Sequence, residues 1–461
     1  MKKFDVIVIG SGQAGTPLAK KLALAGLKTV IIEKRFYGGT CVNDGCTPTK
    51  TWVASAKAAY MAGKSADLGV PVKKFAVNMP RIKKRKDDIV MQSRIGGQHA
   101  AEKIKGLDVV FGEATFTGDK TVSVKLKNGK KQNIQADQIF LNVGAKPFIP
   151  EIEGLAEIKY LTSTTILDLN YVPEHLLVLG GNYIGLEFGQ MFRRFGSKVT
   201  ILEKSERIVS REDEDVSAEM QRILKAENIN VLTNTHATKF KQKTGGTVTA
   251  TITSNGQEKK IRCSHVLVAV GRTPQTEMLG LDKAGVETDE KGNIKVNSKL
   301  ETNVKGIYAL GDVKGGPAFT HISYNDYTIV YRNLIEKQNL SITDRLVPYC
   351  MFTDPQLGRV GIDETEARKQ GLEYKVARLP MSHVARAIET GDTRGFMKAI
   401  IDVKTRKILG ATVLGPEGGE IMTVLQMAME GGITYDTIRY FIFAHPLYAE
   451  SLNNLFLALE D

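Results

Sequence analysis

The apolar positions of this chain open with a short unbroken run, Val6-Ile7-Val8-Ile9. A run of this kind, bounded by a turn, predicts a strand buried on both faces. It ends at Gly10-Ser11-Gly12-Gln13-Ala14-Gly15. Residues 16–25 then read as a helix that Gly26 terminates, and residues 29–32 as a second strand ending at Glu33. The pattern recurs. Residues 176–179 are an apolar strand, Gly180-Gly181-Asn182-Tyr183-Ile184-Gly185 a turn, 186–195 a helix ended by Gly196, and 198–202 a strand reaching Glu203. The spacing from Gly10 to Glu33 equals that from Gly180 to Glu203. Further along, residues 261–270 read as a strand, and residues 398–402 and 409–414 as two strands joined by a turn.

Each part of the repeated pattern has a physical role. Gly10 permits the tight turn, Gly12 lets a pyrophosphate approach the backbone, and Gly15 lets helix and strand pack closely. The helix N-terminus stabilises phosphate, and Glu33 accepts hydrogen bonds from a ribose diol. A lone G-x-G-x-x-G is weak evidence. The strand, helix, second strand and terminal acid together are strong, and two such units imply two dinucleotides in electronic contact. The second copy departs at Asn182, where glycine is usual. Asparagine tolerates positive φ, so the turn is expected to survive, with the side chain either crowding a pyrophosphate or donating to it. Glu203 would repel a 2′-phosphate, which favours NADH, and the nearby Lys204 and Arg207 keep NADPH open.

Length and composition narrow the class. At 461 residues the chain is too long for one core, and about three domains are expected. Four cysteines, Cys41, Cys46, Cys263 and Cys350, exclude a disulfide framework. A close pair in so large a chain points to catalytic or metal use in a reducing compartment. Met1-Lys2-Lys3 and the apolar run after it imitate a signal peptide. Asp5 interrupts the run and a glycine turn ends it, so it is read as a strand. No apolar run approaches the roughly 20 residues of a membrane span, and the expected location is the cytoplasm. The net charge of +12 raises nucleic acid as a partner. The densest basic run, residues 81–86, lacks interleaved aromatics and is followed by Asp87 and Asp88, so a solvated helix face is expected. No nucleic-acid or membrane partner is expected.

The chemistry concentrates in Gly38-Gly39-Thr40-Cys41-Val42-Asn43-Asp44-Gly45-Cys46-Thr47-Pro48-Thr49-Lys50. Thr47 suits an N-cap and Pro48 the first helical position, with helix formers over residues 49–61. Cys46 then lies just before a helix N-terminus, whose dipole favours a thiolate, and Lys50 adds positive charge. Zinc would want two more cysteine or histidine ligands, and no second pair occurs, so a redox pair is favoured and no metal is expected. Asp44 either raises the thiol pKa by repulsion or is solvated and inert. Cys263 and Cys350 read as packing residues.

These residues, with Tyr183-Ile184-Gly185-Leu186-Glu187, Gly271-Arg272-Thr273-Pro274, Tyr308-Ala309-Leu310-Gly311-Asp312 and His445-Pro446 with Glu450, resemble the class I pyridine nucleotide–disulfide oxidoreductases. That family includes lipoamide dehydrogenase, glutathione reductase and mercuric reductase, and the likeness covers nearly the whole chain. It implies an α/β fold with two Rossmann-like dinucleotide-binding domains, one for FAD and one for NAD(P), and a C-terminal α+β dimerisation domain. Residues 1–150 and 275–345 would form the FAD-binding domain, 151–274 the NAD(P)-binding domain, and 346–461 the interface domain.

The resemblance also implies roles. Cys46 would face the flavin and Cys41 would exchange with substrate. Lys50 would lie near the flavin and pair with Glu187. His445, oriented by Glu450, would be the acid–base, supplied by the other subunit of a homodimer. Cofactor contacts are implied at Gly10, Gly12, Ala14, Gly15, Glu33, Gly39, Thr40, Lys50, Ala114, Gly144, Asp312 and Thr320, and at Gly180, Asn182, Tyr183, Ile184, Glu203, Gly271 and Arg272.

Within the family the acceptor stays open. Thr47-Pro48-Thr49-Lys50, Arg193-Arg194-Phe195-Gly196 and Arg386-Ala387-Ile388-Glu389-Thr390 look like chains grouped with mercuric reductase. The sequence ends without a cysteine pair and shows no N-terminal metal-binding domain. Lipoamide dehydrogenases carry Ile-Pro-Ser-Lys and a threonine after His-Pro, where this chain has Thr47-Pro48-Thr49-Lys50 and Leu447. Thr320-His321-Ile322-Ser323 and Asp392-Thr393-Arg394-Gly395 are similar to a bacterial flavoprotein induced by reactive chlorine. The resemblance implies an NAD(P)H-dependent disulfide reductase like dihydrolipoamide dehydrogenase, or a reductase of Hg(II) or Cu(II). A non-catalytic flavoprotein sensor is the reading from another class, and the intact Cys41–Cys46, Lys50, Glu187 and His445–Glu450 set favours the enzyme.

Overall fold

A computed structural model describes residues 1–242 and 245–459. The chain is a mixed α/β structure of two compact units. One comprises Met1–Thr51, Lys83–Phe148 and Gly271–Arg345, the other Trp52–Ile82, Ile149–Val270 and Leu346–Asp461.

In the first unit the opening strand is Lys2–Ile9, the helix Gly15–Leu24 and the second strand Thr29–Glu33. Strand Lys2–Ile9 lies between Thr29–Glu33 and Lys131–Leu141, parallel to both. The unbroken apolar run now has its reason. Ile7 and Ile9 enter one core, while Val6 and Val8 enter another with Leu18, Ala19 and Leu22 of the helix. Each leucine so buried contributes about 1.5–3 kcal/mol. Strands Leu107–Gly118, Thr121–Leu126 and Lys131–Leu141 form an antiparallel meander whose last member returns beside the first strand. Ile307–Ala309 adds in parallel to Lys131–Leu141 and leads into the turn Gly311–Lys314.

The second unit holds the repeat. Strands His265–Val268, His175–Leu179, Lys198–Leu202 and Asn230–Leu232 form a parallel sheet in that order, with helix Tyr183–Phe195 as its first crossover. Thr235–Gln242, Val248–Ser254 and Gln257–Cys263 form an antiparallel sheet. A five-stranded antiparallel sheet carries Phe396–Asp402 and Ile408–Gly415 at its centre. Helix Gly418–Glu430 covers it through Ile421, Met422 and Leu425 against Val360 and Val413.

Four expectations need correction. The strand expected at 261–270 is two strands in different sheets, because Ser264 breaks from the antiparallel ladder to donate to the His175 carbonyl. The cysteine helix is Cys46–Lys64, so Thr47 and Pro48 lie inside its first turn and not at its cap. Asn182 has φ −113° and not the positive value that its tolerance suggested. In the basic run, Lys83–Asp87 and Lys84–Asp88 are surface i,i+4 pairs, but Lys86 is buried against Asp87. No helix among the described residues is long and apolar enough to cross a membrane.

Candidate active site

The first dinucleotide turn is set by backbone crowding. Gly10 has φ +101° and donates to the Ile32 carbonyl at 2.8 Å; a Cβ there would lie 2.3 Å from the Asn142 carbonyl oxygen. A Cβ on Gly15 would lie 2.1 Å from the Gly10 oxygen, which confirms close helix–strand packing as its role. Gly12 is required for more than ligand approach: its Cβ would meet the Asn142 side chain at 2.7 Å, and one on Gly39 would meet the Gly12 Cα at 2.6 Å. Ala14 stands at the N-cap of helix Gly15–Leu24 and supplies no side-chain cap. Glu33 reaches back to this turn, accepting from the Ser11 amide at 3.0 Å and its hydroxyl at 2.8 Å. A helix start, glycines that admit close approach and a carboxylate beside them fit a dinucleotide.

The second turn repeats the device. Gly180 has φ +107° and donates to the Leu202 carbonyl at 2.8 Å, and a Cβ on Gly185 would lie 2.0 Å from the Gly180 oxygen. Glu203 accepts from the Gly181 amide at 2.7 Å. The difference is Asn182, whose side-chain oxygen accepts from the Tyr183 amide at 2.9 Å and N-caps helix Tyr183–Phe195. Ile184 lies in the first turn of that helix.

Cys41 sits in a short helix, Gly39–Asn43, that sequence patterning did not reveal, with Thr40 beside it. Asn43 locks this helix by donating to the Tyr37 and Gly39 carbonyls at 3.0 and 2.8 Å, and Arg94 donates to Asn43 at 2.7 Å. Asp44 is not a solvated, inert side chain: it is largely covered and paired with Arg35. Cys41 is partly covered and Cys46 exposed. The Cys46 sulfur lies 3.1 Å from the Thr320 hydroxyl. The Cys41 thiol is pushed far above its usual range, first by its hydrogen bond with Cys46 and then by burial and charge repulsion. The protein atoms cover Cys41 more than Cys46. Cys263 is buried and pushed up to about 12, as an inert packing thiol should be, while Cys350 lies half-buried in a strand.

The remaining residues divide between the units. In the first, Lys50 lies in helix Cys46–Lys64, and Ala114 is buried in strand Leu107–Gly118. Gly144, at φ +67°, accepts from the Gln275 amide, and Gly271 from the Phe148 amide. Asp312 lies 3.8 Å from Arg272; burial raises its carboxyl and the Arg272 and Lys314 charges oppose this. In the second unit, Glu187 is buried and accepts from the Phe352 amide at 2.8 Å. His445 is exposed, its Nδ1 3.0 Å from the Glu450 carboxylate. With Nδ1–H donating there, Nε2 is the nitrogen that can take or give a proton.

Residues 4–326 match the model of the pyridine nucleotide-disulphide oxidoreductases, and residues 347–456 that family's dimerisation domain. The chain belongs to this family. Members are flavoenzymes acting on sulfur groups, so FAD and a nicotinamide nucleotide are the cofactors of this oxidoreductase. It is 36% identical over 460 residues to a probable pyridine nucleotide-disulfide oxidoreductase, RclA, of Escherichia coli, covering 99% of each chain. A Cu(II) complex of that protein, described as an HOCl-induced flavoprotein disulfide reductase, superposes with a TM-score of 0.91 over 100% of both chains. A mercuric reductase of Staphylococcus aureus is 35% identical, covering 94% of this chain and 78% of its own. A dihydrolipoyl dehydrogenase of Thermus scotoductus is 33% identical, covering 98% and 96%.

Two buried residues that hold the site of this oxidoreductase escaped sequence reasoning. Asn142 donates to the Leu310 carbonyl at 2.8 Å and accepts from the Gly15 amide at 2.9 Å, joining three segments behind the first turn. Asp326, fully buried, accepts from the Gly311 amide at 2.8 Å and pairs with Lys314 and Arg345, fixing the turn that carries Asp312. Neither belongs to a local motif, since their partners lie far away in sequence. Asn142→Ala is expected to cost about 2–6 kcal/mol, the penalty for two buried backbone groups left unpaired. Denaturant unfolding of the flavin-loaded protein measures it.

Proposed function

We propose that the chain is an NADH-dependent disulfide reductase in which Cys41 and Cys46 deliver the electron pair to a disulfide. The observation that carries this reading is the Cys41–Cys46 thiol pair with the Thr320 hydroxyl against it. In this scheme residues 1–150 and 275–345 hold FAD and residues 151–274 hold the nicotinamide nucleotide. Residues 346–461 form the homodimer interface. The first turn, Glu33 and Asp312 would hold the flavin nucleotide, which when bound passes electron pairs from the nicotinamide to the cysteines. Glu203 selects NADH by repelling a 2′-phosphate.

The protein's own groups perform the exchange. Exchange needs a thiolate, and the hydrogen bond with Cys46 and burial push the Cys41 thiol up, so a base assists it. His445 of the partner subunit, oriented by its neighbouring carboxylate, takes that proton. The Cys41 thiolate attacks one sulfur of the substrate disulfide, a mixed disulfide forms, and His445 returns the proton to the departing thiolate. Cys46 then loses its proton and attacks Cys41, the second substrate sulfur leaves and takes up that proton through His445, and the Cys41–Cys46 disulfide remains. Two electrons leave the pair and two enter the substrate. The cytoplasm, which keeps substrate disulfides under reduction, is the proposed location.

A second reading is reduction of Cu(II) or Hg(II) at the same cysteines. The copper complex of the E. coli relative and the mercuric reductases favour it, and soft thiolates suit both metals. Among the described residues no group of three or more His, Cys, Asp and Glu side chains is placed to hold a metal ion.

Steady-state assay with NADH and NADPH against lipoamide, oxidised glutathione, Cu(II), Hg(II) and oxygen separates these readings. The expected result is higher kcat/KM with NADH and turnover of a disulfide acceptor. A strong NADPH preference refutes the role of Glu203, and turnover of metal ions alone selects the second reading.

A further inference from the structure

Behind the second dinucleotide turn lies a buried carboxylate that the reaction scheme does not use. Glu212 is 2% exposed. One of its oxygens accepts from the Tyr183 hydroxyl at 3.2 Å and from the Tyr349 hydroxyl at 2.6 Å. The other, which has no hydrogen-bond partner, lies 3.5 Å from the buried Arg359 guanidinium. The two tyrosine rings sit 5.5 Å apart, and Tyr349 and Arg359 face each other on paired strands. Burying a carboxylate is costly unless hydrogen bonds and an opposite charge compensate it.

The segment that carries Glu212 is fastened to the turn itself. Val209 donates its amide to the Gly181 carbonyl at 2.9 Å, and Glu212 donates its own amide to the Val209 carbonyl at 2.8 Å. Val209 is buried at φ +40°, a strained conformation for a β-branched residue. Ile208 fills the space that a Cβ on Gly181 would need. Strain of this kind persists where the surroundings over-determine the backbone, which happens at binding sites. Tyr183 is the first residue of helix Tyr183–Phe195, at the end that faces a dinucleotide phosphate in such a fold.

We infer that Glu212 is a positioning residue for the nicotinamide nucleotide: with Tyr349 and the strained Val209 it fixes the Tyr183 ring on the second turn before the nucleotide arrives. The inference rests on the reading that this turn receives the nicotinamide nucleotide. Preorganising one aromatic side chain removes its ordering cost from binding and leaves the chemical step alone.

The test is anaerobic bleaching of the enzyme-bound flavin by NADH, which isolates the nucleotide half of the cycle. Glu212→Gln keeps the shape but turns an amide toward Arg359. Tyr349→Phe removes one hydroxyl and no charge, and it decides the question if the first variant fails to fold. Each is expected to raise the NADH concentration for half-maximal rate about three- to tenfold, the effect of re-ordering one side chain on binding. The maximal bleaching rate and the KM for the acceptor should hold within about twofold. An unchanged NADH dependence in Tyr349→Phe overturns the inference, as does an equal loss in both half-reactions. Glu203→Ala serves as the reference. If it too leaves the NADH dependence unchanged, the assignment of the turn fails; if it alone raises it, only the role of Glu212 fails.

Discussion

Cys46→Ser is expected to reduce disulfide turnover about a thousandfold or more, the scale seen when a group acting as part of a catalytic unit is removed. The geometry makes the loss steep. Cys41 and Cys46 hydrogen-bond to one another, and a substrate disulfide needs two electrons from two sulfurs. With serine at 46, the Cys41 thiolate can form one mixed disulfide and then has no intramolecular partner to resolve it. Transfer from NADH to a small quinone does not need the thiols and should survive. The measurement compares the two acceptors on one preparation. Comparable turnover of the disulfide by Cys46→Ser and wild type would remove the cysteine pair from the mechanism.

His445→Ala is expected to lower disulfide turnover about a hundred- to ten-thousandfold, the usual range for a general acid–base. The upward push on the Cys41 thiol gives the direction of this effect. A neighbouring sulfur and burial both disfavour the thiolate, so a base promotes attack. The sign follows: raising the pH should narrow the gap between wild type and His445→Ala, because hydroxide then replaces the missing base. Transfer to quinone should change little, and Glu450→Gln should fall between the two, since it disturbs ring orientation but keeps Nε2. Equal losses with disulfide and quinone would show that His445 supports the fold.

Much of this was legible in the sequence because the motifs are local. A turn that needs positive φ at Gly10 and Gly180 announces itself by glycine, and the strands beside it by runs buried on both sides. The cysteine helix was legible in kind but not in register. Thr47-Pro48 looks like a helix start, whereas the Thr49 amide already donates to the Gly45 carbonyl at 3.0 Å and the helix begins at Cys46. What stayed hidden was held by distant partners. Asn142, Asp326 and Glu212 are ordinary polar residues in sequence, and only the fold brings to them the amides and charges that justify their burial. Asp44 shows the same lesson from the other side. Its effect on the thiols could not be judged without Arg35, which its own stretch of chain does not contain.

The two turns differ in where the acceptor at their helix start comes from. At the first, the Gly15 amide is held by the side chain of Asn142, which stands at the far end of the meander in sequence. At the second, the Tyr183 amide is held by Asn182, its immediate neighbour. The first turn is therefore complete only once distant segments of the chain have met, whereas the second can close within its own few residues, and the order in which the two turns form during folding should follow that difference.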